Sequence, residues 1–277
     1  MDFWKMHGLG NDFVFLDHFS IAGNGSDYPN LAQQLCHRQL GIGGDGLVIV
    51  LPSAIADAKM RIFNPDGSEP EMCGNGIRCF ARFIFDKGYV TTNPLTVETL
   101  AGVLSLQLTL EGNRVSAVRV DMGKPILKPA LIPVNASMEP VVRAFLEVEG
   151  VSLQYSAVSM GNPHCIIFGE DFENLDFERL GPAIEKHALF PRKTNVEFIR
   201  VDSSKEITMK VWERGAGPTL ACGTGACAAT VASVLNGLTE RAVTVHLPGG
   251  DLQIEWGEDD HVYMTGSAVY TFCGKWL

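Results

Sequence analysis

The chain repeats itself. Residues 10–17 read GNDFVFLD and residues 161–168 read GNPHCIIF, each a Gly-Asn pair followed by an apolar, strand-like run. Residues 72–81 read MCGNGIRCFA and residues 221–230 read ACGTGACAAT, each a Cys-Gly-x-Gly opening a helix of small residues. Between them, 61–64 (RIFN) falls on 210–213 (KVWE). The offsets, 162 − 11 = 151 and 222 − 73 = 149, nearly agree. Three blocks at one spacing imply a duplicated fold with pseudo-two-fold symmetry. The 277 residues suit two domains. Four prolines between Pro125 and Pro140 mark the boundary between the halves.

Helices are expected over 31–40, 76–87, 173–186 and 224–236. Gly88 and Gly237 stop the second and the last, and Pro182 limits the third. Hairpins are expected over 103–120, with Leu104, Leu106, Leu108 and Leu110 on one face, and over 246–255 around Pro248-Gly249-Gly250. The uncharged stretch between Arg214 and Glu240 holds Pro218 and five glycines but few strongly apolar residues. It is read as a loop and a buried helix, not a membrane span.

Duplication places Cys73 and Cys222 at equivalent positions. If the halves face each other, the two thiols flank one cleft. Each precedes a helix start, where unpaired N–H groups favour a bound carboxylate and a thiolate, so both thiols are expected to titrate closer to neutrality. Two such groups on opposite faces of one carbon can remove a proton and deliver another, which inverts a stereocentre without a cofactor. Cys36, Cys79, Cys165, Cys227 and Cys273 read as small buried hydrophobes.

Around these cysteines the chain resembles the diaminopimelate epimerase family. The resemblance is carried by residues 64–68 (NPDGS) running into 72–79 (MCGNGIRC), and by 213–217 (ERGAG) with 221–227 (ACGTGAC). Residues 7–13 (HGLGNDF), 161–164 (GNPH) and 194–198 (TNVEF) match in order, so nearly the whole chain is covered. It implies an α+β fold of two pseudo-symmetric domains, each a β-barrel-like sheet around a central helix. The first would span 1–120 with the tail 268–277 returning to it, and the second 121–267. It further implies conversion of LL- to meso-diaminopimelate by a thiol pair, in lysine and peptidoglycan precursor synthesis, with no cofactor and no metal. Carried over by position, Cys73 and Cys222 are the acid–base pair, with His164 and Glu213 assisting. Gly74, Asn75, Gly223 and Thr224 hold the reacting carboxylate. Asn11, Asn64, Asn162, Asn195, Glu213 and Arg214 bind the rest of the substrate. A guanidinium can fork onto a carboxylate, and a carboxylate can accept from an ammonium. Many relatives carry Gln at the position of Gly46, which has no side chain to offer and is left out of the site.

Proline and histidine racemase-like enzymes share such a thiol pair. Proline lacks a distal amino-acid group, so Glu213-Arg214 with the asparagines favours a longer, doubly zwitterionic substrate. A thiol redox enzyme and a binding module without turnover are the readings from other classes. Residues 41–46 match the dinucleotide fingerprint formally, but a helix precedes them and a strand follows, the reverse of what that motif needs. The net charge of −10 argues against nucleic acid and anionic membranes. Seven cysteines without a compact framework, and a start (MDFWKMHGLGNDF) without a positive leader and apolar run, give a cytoplasmic expectation. The resemblance is compatible with a homodimer, although one sequence shows no interface.

Overall fold

The computed structural model describes residues 1–19, 27–169 and 176–277. In chain order the first elements are β1 (Asp2–Gly8), β2 (Asn11–Asp17), α1 (Tyr28–Leu35), β3 (Gly46–Leu51), β4 (Ala58–Phe63), α2 (Gly74–Asp86), β5 (Leu95–Thr99), β6 (Gly102–Glu111) and β7 (Arg114–Asp121). After a 3₁₀ turn at Pro129–Leu131 come β8 (Ala144–Val148), β9 (Val151–Ser159), β10 (Pro163–Phe168), α3 (Phe177–Glu185), β11 (Asn195–Ser203) and β12 (Glu206–Glu213). The chain ends with β13 (Gly217–Thr219), α4 (Gly223–Leu235), β14 (Ala242–Leu247), β15 (Gly250–Trp256), β16 (Val262–Gly266) and β17 (Val269–Lys275). Two compact units result, Met1–Asp121 with Thr265–Leu277, and Met122–Met264.

Within the first unit the ladder runs β17–β1–β2–β3–β4–β5–β6–β7. Its pairings are antiparallel, antiparallel, parallel, antiparallel, parallel, antiparallel and antiparallel. Within the second unit β8–β9–β10–β11–β12–β14–β15 repeats the first six of those directions in order. The register repeats too. Leu47 faces Phe63 and Val196 faces Trp212, and 196 − 47 and 212 − 63 are both 149. The duplication read in three short blocks therefore extends through the backbone pairing. A topological difference lies at the edge, where β17, from the far end of the chain, occupies the place beside β1 that β8 occupies beside β9.

β3 (GLVIVL) is a continuous apolar run with five of six residues buried, which requires cover on both faces. On one face, α1 and the strands enclose Val14, Leu16, Tyr28, Leu35, Leu47 and Phe63. The second unit has the counterpart, in which α3 covers Cys165, Ile167, Val196 and Phe198. On the other face lies α2, which touches β1, β3, β4, β6 and β7. A helix that touches strands from both ends of one ladder has the sheet curled around it. The helix α4 is enclosed likewise by β9, β10, β11, β14 and β15. It can be so enclosed because ten of its thirteen residues are buried and nearly all are small. In α2 the buried Ile77, Phe80, Phe83 and Ile84 each contribute on the order of 1.5–3 kcal/mol of burial.

The first helix differs from the expectation over 31–40. It begins at Tyr28, where the Asp27 side chain accepts from the Asn30 N–H and Pro29 sits in the first turn, and it ends at Leu35. His37 turns the chain by accepting from the Gln39 and Leu40 N–H groups, which leaves Leu40 exposed. The third helix is seen from Phe177, with Asp176 as its cap, and residues 173–175 lie outside the described residues. Leu110 does not join the apolar face of β6, because a register shift after Thr109 turns it to solvent. Cys273 is exposed on β17, contrary to its reading as a buried hydrophobe. Among the described residues no helix is long and apolar enough to cross a membrane.

Candidate active site

Each unit carries one half of the expected residues, built on the same local plan. Cys73 caps α2 and Cys222 caps α4, both in extended backbone, and the glycines that follow open each helix. Neither N-terminal turn is blocked by an acidic side chain, so the free N–H groups of Gly74, Asn75, Gly223 and Thr224 remain open to an anion.

In the first unit Asn11, at the start of β2, is the hub. Its Oδ1 accepts from Asn75 Nδ2 at 3.1 Å and, more loosely, from Cys73 Sγ at 3.9 Å. Its Nδ2 donates to Asp45 Oδ2 at 2.7 Å, so the amide can face only one way. Asp45 belongs to a charged cluster with Asp12, Lys5 and Arg38. Burial works against the Asp12 charge, but hydrogen bonds from Arg38 and Lys5 prevail and hold its carboxyl down at about 2. The glycines at 41–46 have their use here. Lys5 Nζ donates to the Gly43 carbonyl, and a Cβ on Gly44 would stand 2.9 Å from that ammonium. At Gly46 a Cβ would meet the Phe63 carbonyl at 3.0 Å and the Phe13 ring at 3.3 Å. Arg78, with no exposed surface, fixes the floor by donating to Gly74 O, Asn75 Oδ1 and Ser267 O. Asn64 sits half-buried in a turn, where its amide donates to Ser68 Oγ at 2.9 Å.

In the second unit Cys222 Sγ accepts from the Gly225 N–H at 3.3 Å and lies 3.5 Å from Thr224 Oγ1. Asn162 Nδ2 donates to Thr224 Oγ1 at 3.2 Å, and Asn162 Oδ1 lies 3.0 Å from His164 Nε2. His164 Nδ1 lies 2.7 Å from Glu197 Oε1, and both side chains are wholly buried. Burial pushes the Cys222 thiol well above its ordinary value and the Glu213 and Glu197 carboxylates push it further, against the bonds from Thr224 and Gly225. This corrects the expectation that a helix N-terminus brings Cys222 toward neutrality. Burial outweighs it, as the charge–dipole attraction at the first turn is small beside the loss of water. Burial also raises Glu213, while the Thr219 hydroxyl, which donates to it, pulls the other way. Cys36 and Cys79 are pushed by burial to about 12, and burial carries Cys165 well above its ordinary value, so these three are packing residues.

Glu213 and Arg214 stand at the tight turn between β12 and β13, in which Gly215 and Gly217 take positive φ. The turn is pinned from beneath. Asn195 Oδ1 accepts from the Arg214 N–H while its Nδ2 donates to Pro163 O, and Glu185 accepts from the Gly215 N–H and the Trp212 indole. Gly181 permits this, because a Cβ there would strike the Trp212 ring at 2.8 Å. Asn195 thus ties the Arg214 turn to β10 and keeps one amide hydrogen to spare. The Arg214 side chain is exposed, with Nη1 donating to Arg192 O.

The diaminopimelate epimerase family model matches residues 3–128 and 156–271. This chain belongs to that family. A diaminopimelate epimerase of Desulfitobacterium hafniense is 70% identical over 278 residues, spanning 100% of this chain and 98% of the relative. One from Moorella thermoacetica is 57% identical, over 99% and 98% of the two chains. Among solved structures, a Bacillus anthracis phenazine biosynthesis protein of the PhzF family shares the fold, with a TM-score of 0.73 at 16% identity over 100% and 99% of the two chains. Sequence reading missed four residues that shape the two half-sites, Asp45, Arg78, Glu185 and Glu197. Glu197 alone left a signal, a charge between apolar neighbours (VEFI).

Proposed function

We propose that the chain interconverts LL- and meso-diaminopimelate, with Cys73 and Cys222 as the acid–base pair and without a cofactor. The observation that carries this reading is the duplicated helix cap. Each unit sets a cysteine in extended backbone as the N-cap of a helix that opens on Gly-x-Gly, so each offers one thiol beside a row of unpaired N–H groups. One thiolate removes the α-proton, and the other thiol delivers a proton to the opposite face, which inverts the centre. Gly74, Asn75, Gly223 and Thr224 stabilise the charge that grows on the α-carboxylate. Glu213 accepts from an ammonium and Arg214 forks onto a carboxylate at the far end of the substrate, which favours an amino acid with a second zwitterionic centre. Asn11, Asn64 and Asn162 present amides to those same groups. None of the seven cysteines is paired in a disulfide, in keeping with a reducing compartment such as the cytoplasm.

Proton NMR of LL-diaminopimelate in D₂O, with reduced enzyme and with Cys73→Ala and Cys222→Ala, tests the reading. The α-proton signal should disappear and the meso isomer appear with the parent enzyme only. A reduced, folded parent enzyme that exchanges no α-proton would overturn the substrate assignment.

A further inference from the structure

The two units differ most where they should be most alike. By ladder position His164 corresponds to Phe13, since Phe13 faces Gly46 and His164 faces Asn195. Glu197 corresponds to Val48 by the same count. The first unit therefore fills these positions with two buried apolar side chains, and the fold does not need a polar pair there. The second unit buries a carboxylate and an imidazole with no exposed surface, which is stabilising only when fully bonded. Yet Glu197 Oε2 has no hydrogen-bond partner. A pair with that burden is retained for what its bonds arrange.

What they arrange can be followed atom by atom. His164 Nδ1 faces Glu197 Oε1, and His164 Nε2 faces Asn162 Oδ1, an oxygen that can only accept, so the ring is held between a carboxylate and the amide oxygen it donates to. Asn162 then has its amide hydrogens turned to Thr224 Oγ1. Thr224, which accepts that bond, has its own hydroxyl hydrogen left for Cys222 Sγ. The pseudo-equivalent Asn11 faces the other way. Asp45 takes its amide hydrogens, and its oxygen is turned to Asn75 and Cys73. We propose that Glu197 is a positioning residue for the reaction, heading a relay through His164, Asn162 and Thr224 that keeps a hydrogen-bond donor aimed at Cys222 Sγ. The relay moves no proton. It counters the Glu213 and Glu197 carboxylates that face the same sulfur from β12 and β11, and acts beside the Gly225 N–H of α4. It rests on the reading of Cys222 as the thiol that loses and regains a proton.

The test reads the thiol itself and not turnover, so it stands or falls apart from the substrate assignment. The far-ultraviolet thiolate absorbance of Cys222 is taken as the difference between each protein and its Cys222→Ala partner, across a pH series. In Glu197→Gln the carboxylate at the head of the relay becomes a neutral amide, so the charge-assisted bond to His164 is lost. The midpoint for Cys222 should rise by roughly one pH unit, with Thr224→Val giving a similar rise and Thr224→Ser restoring the parent value. The double variant Glu197→Gln/Thr224→Val should go little beyond either single change, since both cut one chain. A midpoint that falls in Glu197→Gln would mean that the carboxylate acts only as a nearby negative charge, and an unchanged midpoint would mean that no relay exists. Either result overturns the proposal. His164→Phe/Glu197→Val installs the apolar pair of the first unit, so it is expected to fold, and it must show the same rise.

Discussion

A methyl group on Gly225 would lie 2.7 Å from Glu197 Oε1 and 3.2 Å from Cys222 Sγ. Its pseudo-equivalent Gly76 would present a methyl to Ile62 Cδ1 at 3.1 Å and to the Cys73 side chain at 3.5 Å. An isoleucine methyl can yield by a few tenths of an ångström, whereas a carboxylate held by His164 has nowhere to go. Gly225→Ala is therefore expected to cost about 1–3 kcal/mol by overpacking and to displace the very atoms that set Cys222. Gly76→Ala should cost less than half as much. Urea unfolding of the two variants, with kcat measured beside it, checks the contrast. Equal losses in both would mean that the crowding under α4 is not special.

The helices show which local rules are decisive. Both helices that carry a cysteine end alike. Lys87 and Asn236 are the C-caps, and Gly88 and Gly237 follow at φ 72° and 68° with open space around them. Only the left-handed conformation is at stake there, so Gly88→Ala and Gly237→Ala should each cost about 1–2 kcal/mol and leave kcat unchanged. A loss of activity without a loss of stability would contradict this account. These stops, the two hairpins and the paired cysteine caps were legible in the sequence because glycine and alternation act locally. The end of α1 was not, because it depends on His37 accepting from two backbone N–H groups, a bond that no periodicity announces. Nor was the outward turn of Leu110, which depends on a shift of register against β7. Of the half-sites, the residues inside the Cys-Gly-x-Gly and Asn blocks could be named in advance. Asp45, Arg78 and Glu185 could not, since their roles exist only once distant strands have met them. Glu197 stood between the two cases, for a position-by-position comparison of the repeats sets it against Val48.

The edge strand carries the largest consequence for the chain as a whole. In the second unit β8 and β9 are joined by the two-residue turn Glu149-Gly150, whereas β17 reaches β1 from the opposite end of the sequence. The pairing nevertheless has the same antiparallel sense, from Asp2 against Lys275 to His7 against Val269, and the Met1 amine donates to Trp276 O at 2.7 Å. β17 also supports the Cys73 helix, because the stretch leading into it offers the Ser267 and Ala268 carbonyls to Arg78 and Arg82. Removing 269–277 would bare the edge of β1 and should unfold the first unit. Joining the ends should not. A hairpin loop of about two to five residues from 277 to 1 would rebuild in the first unit the connection that β8 and β9 already use. Opening the chain at the exposed Lys124 would then give a circular permutant in which the first unit is continuous and only residues 122–124 of the second are left at the other end. That permutant is expected to fold with a Tm within a few degrees of the parent and to retain kcat, as measured by thermal unfolding and α-proton exchange. If instead it is unfolded or inactive while the parent is sound, then the order in which β17 and β1 are made matters to folding, and the equivalence of the two ladders does not extend to how they assemble.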